Sequence, residues 1–137
     1  MDPTAKIVRH LVLTKLGDIP KQALDRAKLA ILDTIAVAIA GARSKVVTAL
    51  LNVAESMGGR PESRIIVYGN HLPAPAAALV NGTMARVLDF DDTYELAPGG
   101  GHASAYIVPT ALAVAERNVH ITGAEFLGGV VLASDIY

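Results

Sequence analysis

The segment LAILDTIAVAIAGA, Leu29 to Ala42, limits most tightly what this chain can fold into. Its apolar residues cover nearly every face of a helical period and are interrupted only by Asp33 and Thr34. That is short of the roughly 18 uninterrupted apolar residues a membrane span needs. The segment reads instead as a helix buried inside a protein. Asp18 and Pro20 mark its upstream start and Gly41 its stop, and the first half, from Lys21, is amphipathic. The core around it must be built from small side chains: the chain is 52% hydrophobic but only 4% aromatic, with no tryptophan. Alanine, valine, isoleucine and leucine let helices approach closely.

Helical signals continue on both sides. Ile7, Val8, Leu11 and Val12 form one face of a helix expected over Thr4 to Leu16, stopped at Gly17. Ser44 to Met57 makes another, ended by Gly58 and Gly59. The β-branched SRIIVYGN admits at most one short strand, near Arg64–Tyr68, or an extended link. Pro73 and Pro75 open a helix expected to run through AAALVNGTMARVLDF. A further helix spans Ala103 to Arg117, with Pro109 predicting a kink or a late start. In the last one Thr122 is the N-cap and Glu125 the third helical residue of a capping box. Gly128 and Gly129 inside it cost helix propensity, which suggests close packing against another helix. The sum is an all-α chain: one helical bundle-like domain over residues 1–137, too short for two. The last helix has a marked start and no stop, the expectation for the front part of something larger.

Formal net charge is −1, so no electrostatic footprint suggests nucleic acid or a membrane surface as partner. Absence of cysteine excludes disulfides and thiolate metal sites. The opening MDPTAKIVRH lacks the apolar region of a signal peptide, and both features fit a cytoplasmic protein.

Ionisable chemistry gathers in RVLDFDDTYELAPGGGHAS, Arg86 to Ser104. Three accounts are open on the residues alone. Asp89, Asp91 and Asp92 are the residue type that caps helix ends and solvates turns, with Gly99 to Gly101 as a connection. Alternatively, Asp91, Asp92 and Glu95 resemble a magnesium-diphosphate cluster, with Asp91 and Glu95 on one helix face; no second acidic cluster accompanies them. Finally, His102 after a glycine run is placed to approach a small acid, with Asp89 or Asp92 fixing its tautomer. The helix starting at Ala103 would aim N–H groups at the same place. His10, His71 and His120 lack such a carboxylate nearby in sequence, and Arg60 and Arg64 are ordinary turn arginines.

The blocks VNGTMARVLDFDDTY, GHASAYIVPTALAVAE and ITGAEFLGGVVLASDIY resemble the amino-terminal part of the MmgE/PrpD family. RAKLAILDTIAVAIAGA and RIIVYGNHLPAPAAALVNG extend the resemblance over nearly the whole chain. That family includes 2-methylcitrate dehydratase, cis-aconitate decarboxylase and some epimerases. The resemblance implies lyase chemistry, by proton transfer beside a carboxylate, on a small di- or tricarboxylate such as 2-methylcitrate. It implies no metal and no organic cofactor, and a homodimer, or a second chain carrying the missing part. Under it Asp89 matches the active-site aspartate, His102 the histidine that moves the proton, and Thr93 a substrate-contacting threonine. Arg86, Tyr94 and Asp92 become substrate-binding neighbours. The chain departs from the family pattern at Arg86, often histidine, at Tyr94, often histidine or tryptophan, and at Ala103, usually proline. The family's lysines, second histidine and lid lie beyond position 137. The competing expectation is a non-catalytic helical subunit or fragment that retains only an assembly surface.

Overall fold

The computed structural model of the chain describes residues 2–93 and 101–137. It is helical, as expected, with α1 (Pro3–Leu13), α2 (Lys21–Gly41), α3 (Lys45–Met57), α4 (Ala74–Arg86), α5 (Ala103–Arg117) and α6 (Gly123–Asp135). Side chains close the starts of α3 and α6. Ser44 accepts a hydrogen bond from Val47 N–H at 3.1 Å to start α3. At α6, Thr122 and Glu125 exchange the reciprocal bonds of a capping box, 3.2 Å and 2.8 Å. Helix α1 is shorter than expected: Leu16–Asp18 leave it to form one 3-10 turn, closed by Asp18 Oδ2 accepting from Lys15 N–H. Gly128 packs on that turn and not on a helix, since a Cβ there would lie 3.1 Å from a Leu16 methyl; Gly129 is unobstructed.

Two core clusters meet along α5. One joins Ala38 of α2 and Ala42 just past its end with α3, Ile65, Leu72 and the inner face of α4. The other joins Ile19, Ala27, Val108, Val130 and Val131. The most enclosed helix is α4, with Ala74, Ala77, Val80, Asn81, Met84 and Ala85 buried. Helix α2, expected to be enclosed all round, is covered on one side by the described residues. Ala27, Thr34, Ala38 and Gly41 face in, while Leu29, Leu32 and Ile39 are more than half exposed.

Small residues set the helix crossings. Pro109 has no N–H to give Ala105, four residues earlier, so that carbonyl lacks its intrahelical partner. Gly82 of α4 lies against it; an added Cβ would sit 3.1 Å from the oxygen. The proline lies inside a continuous α5, and α4 packs more extensively on α5 than on any other element. Gly41 does the same between α2 and α4, where a Cβ would stand 2.2 Å from Met84 O.

Between α3 and α4 lies a two-stranded antiparallel hairpin, β1 (Ser63–Arg64) and β2 (His71–Leu72), pairing Ser63 with Leu72 and Arg64 with His71. Residues 66–68, expected to prolong the first strand, turn instead. The reason is Asn81, buried on α4, which accepts from Ile66 N–H at 3.0 Å and donates to Arg64 O at 2.9 Å. Backbone groups that would have extended a ladder are satisfied by one side chain. Ser63 Oγ donates to Ala113 O at 2.7 Å and ties the hairpin to α5.

Among the described residues no single helix is long and apolar enough to cross a membrane; α2 and α3 pass that test only together, and they bend by 92°.

Candidate active site

Helix α4 ends at Arg86, earlier than its apolar continuation Val87-Leu88 suggests. Asp89 N–H donates to Arg86 O at 3.1 Å, and Asp89 itself takes a left-handed conformation, φ 56°. That turn sends the next residues back toward the start of α5. Asp89 is left exposed, Phe90 points outward, and the Asp91 side chain is fully buried.

Four ionisable side chains meet there. Arg86 pairs through Nη1 with the Asp89 carboxylate and lies 3.4 Å from Asp91 Oδ1. Its Nη2 lies 3.1 Å from His102 Nε2. On the other side of the ring, His102 Nδ1 is 3.1 Å from Asp91 Oδ2. Those two atoms are close enough to pair but are off the ideal hydrogen-bonding line, and neither has another partner among the described residues. The hydrogen bond from Asp89, with Asp91 nearby, holds the Arg86 guanidinium above its usual range, while partial burial works against it. With His102 neutral, two carboxylates face one guanidinium and the cluster carries a single negative charge.

The carboxylate against the imidazole is therefore Asp91, where the sequence pointed to Asp89 or Asp92. Asp89 reaches the cluster through Arg86. Asp92 turns away: its Oδ1 accepts from Ser104 N–H at 3.2 Å and its Oδ2 from Ser104 Oγ at 2.7 Å. It thereby closes the first turn of α5, whose N–H groups were expected to face a ligand. Thr93 is exposed beside it, and Tyr94 and Glu95 lie outside the described residues. Asp91 and Asp92 sit on no helix and serve different partners, so the diphosphate-type acidic face is not formed by them.

Asp89, Asp91 and His102 do bring ligand atoms within 4.8 Å of one another, an arrangement a metal ion accepts. The Arg86 guanidinium already supplies a cation there and bonds or pairs with all three. A metal would have to displace it.

An open groove of about 420 Å³ between α4 and α5 borders the guanidinium, lined by Leu79, Gly82, Thr83, Val87 and Tyr106 among others. The remaining histidines stand apart: His10 pairs with Asp135 at 3.2 Å across α1 and α6, His71 lies on β2, and His120 is exposed before the Thr122 cap. The sequence itself suggests only a capping or metal role for Asp91 and none for Ser104. The one available signal was the interval from Asp91–Asp92 to a serine in the first turn of the next helix.

Residues 5–137 match the MmgE/PrpD N-terminal domain. The cis-aconitate decarboxylase of Aspergillus terreus (strain NIH 2624 / FGSC A1156) is 33% identical over 113 residues, covering 82% of this chain and 23% of that protein. Human cis-aconitate decarboxylase is 30% identical over 126 residues, 82% of this chain and 24% of that protein. The cis-aconitate decarboxylase-like protein oryM of Aspergillus oryzae (strain ATCC 42149 / RIB 40) is 27% identical over 135 residues, 94% and 28% respectively. The chain spans about a quarter of the length of the curated relatives it matches. A match over nearly every residue, carried on a helical fold with the acidic turn and His102 in one cluster, makes this chain a member of the MmgE/PrpD family.

Proposed function

We propose that the Arg86–Asp91–His102 cluster moves a proton beside a carboxylate in a lyase reaction on a small di- or tricarboxylate. Cis-aconitate-type decarboxylation and methylcitrate-type dehydration are the two forms to test. The observation that carries this reading is an imidazole held between a buried carboxylate and a guanidinium at the mouth of a turn. Asp91 fixes the ring's orientation through Nδ1, which leaves Nε2 to exchange the proton. Dehydration begins by removing a proton beside a carboxylate; decarboxylation leaves a carbanion that must take one. One nitrogen facing the substrate serves either direction.

Both reactions build enolate-like negative charge, which positive groups must stabilise. Arg86 is the cation the described residues bring to the cluster, and it suits a carboxylate because its planar fork binds two oxygens. It does not suffice for a tricarboxylate next to Asp89 and Asp91. The working enzyme therefore takes further cations from additional polypeptide, either more of the same protein or a second chain. In that assembly Asp89 charges the rim of the site and Thr93 and Tyr94 contact the substrate, while Asp92 holds the start of α5 through Ser104.

The test is His102→Asn in the assembled protein, with cis-aconitate and 2-methylcitrate as substrates. We expect kcat to fall by about 100-fold or more, the usual worth of a positioned acid–base group. Unchanged turnover of both would sink the proton-transfer role.

A second reading, a non-catalytic helical subunit that keeps only an assembly surface, is supported by the exposed leucines and isoleucine of α2. It predicts that the His102 substitution changes nothing in any assembly the chain enters.

A further inference from the structure

Arg86 is placed oddly for a residue that only waits for substrate, because it covers the lone pair of the base. A guanidinium has donors and no acceptor, so at the 3.1 Å contact Nη2 donates and His102 Nε2 accepts. Nε2 then carries no proton, and the single proton of the neutral ring is on Nδ1, facing Asp91 Oδ2. The nitrogen with chemical work to do is unprotonated but capped. Arg86 is held in that position by two carboxylates of opposite character. The Asp91 side chain is wholly buried and cannot withdraw without unfolding the turn. The Asp89 side chain is 76% exposed, on a left-handed turn that aspartate tolerates better than most residues. A carboxylate arriving from solvent competes with the second, not the first.

We propose that Arg86 is a carboxylate-operated lock on His102: at rest it covers Nε2 and fixes the Nδ1–H tautomer, and a ligand carboxylate that replaces Asp89 on the guanidinium draws Arg86 off the ring. This rests on reading His102 as the proton-transfer group of a carboxylate enzyme. The charges give the lock its direction. Once the guanidinium is drawn onto a ligand carboxylate, the Nε2 lone pair is uncovered on the side the ligand occupies, while Asp91 still faces Nδ1. Binding and activation of the base are then one event, and the base is shielded while the site is empty. Arg86 acts through His102 and is in this respect a positioning residue.

The ring nitrogens report the lock directly. Long-range proton–nitrogen spectra of the 15N-labelled chain at mildly alkaline pH, with His102→Gln to assign the signal, should show Nδ1 protonated and Nε2 bare. Citrate, as the probe, should move the bare Nε2 signal further from the protonated range, as losing an accepted hydrogen bond does; sodium chloride at equal ionic strength should not. Arg86→Met should show the moved spectrum without citrate and no further response to it. Arg86→Lys, which keeps the charge and loses the fork, guards against a variant that fails to fold and should move the bare-Nε2 signal likewise. Nε2 protonated in the free chain, a ring unmoved by citrate up to its solubility, or an equal response to chloride would each overturn the lock. The underlying reading fails separately. If the spectra behave as expected and the assembled protein turns over neither cis-aconitate nor 2-methylcitrate, the lyase falls and the lock stands. Turnover with an unmoved ring does the reverse.

Discussion

Asp91 and Asp89 flank one phenylalanine and share one arginine, and should still respond to substitution to very different degrees. Removing the Asp91 carboxylate leaves Arg86 and His102 facing a buried gap, so Asp91→Ala should cost about 2–3 kcal/mol of stability. Asp89 makes an exposed pair with the same guanidinium, and Asp89→Ala should cost less than about 1 kcal/mol. Urea denaturation of the two variants gives both numbers, and equal losses would mean that the burial difference does not govern the cluster. This contrast also marks what the sequence could convey at this scale. The residue types and the loop were legible: Arg86, the aspartates and His102 all lie where the chain concentrates its charge. Which aspartate meets the imidazole was not, because the answer depends on the left-handed turn at Asp89. That conformation leaves no mark in spacing or composition, yet it decides that Asp89 looks outward, Asp91 inward and Asp92 toward Ser104.

At the scale of elements, local chemistry located the helix starts and tertiary contacts decided the rest. Thr122 caps as its sequence context says, and Ser44 caps the helix expected to begin there, since capping involves only neighbours. The end of α4 and the hairpin escaped, the first because Val87-Leu88 continues an apolar pattern, the second because Asn81 of another element takes the backbone bonds. Two predictions belong here. Gly41→Ala would improve helix propensity in isolation, but its methyl would meet the Met84 carbonyl, and α2 cannot move off α4 without opening the larger core. The net effect should be a loss of about 1–3 kcal/mol, read by thermal or urea unfolding; a gain would mean that the crossing is loose. At α6, the bonds from Thr122 hold the Glu125 carboxyl below its ordinary 4.5. A carboxylate with a depressed folded value contributes stability above its unfolded value and loses it as pH falls through the folded one. Exchange protection of the first-turn amides of α6 should therefore drop below about pH 4.5, and Glu125→Gln should flatten that dependence. A wild-type chain whose α6 start is indifferent to acid would refute the pairing.

For the molecule as a whole, the tension lies between an apolar sequence and a surface that the fold leaves uncovered. Leu29, Leu32 and Ile39 of α2 and Val46, Val53 and Met57 of α3 are each more than half exposed, on helices whose inner faces already fill the core. Isolated exposed apolar residues are ordinary on any protein, but helices that keep large aliphatic groups on their outer faces mark a surface that meets another one. The all-round apolar pattern of Leu29 to Ala42 is then explained twice over. Its alanines and Gly41 pack within the chain, and its leucines and Ile39 await something outside these elements. That is also what a site with one arginine and a net negative charge requires if it is to bind polycarboxylates. Native mass spectrometry of the untagged protein purified from its own source tests both needs together. We expect a defined assembly, either copies of this chain or this chain in fixed ratio with a second polypeptide, and the second result would direct the activity assay to the complex. A stable monomer at the concentrations of the assay would remove the interface. The aliphatic face of α2 would then be a solvated surface, and any catalysis would have to come from Arg86, Asp91 and His102 without outside cations.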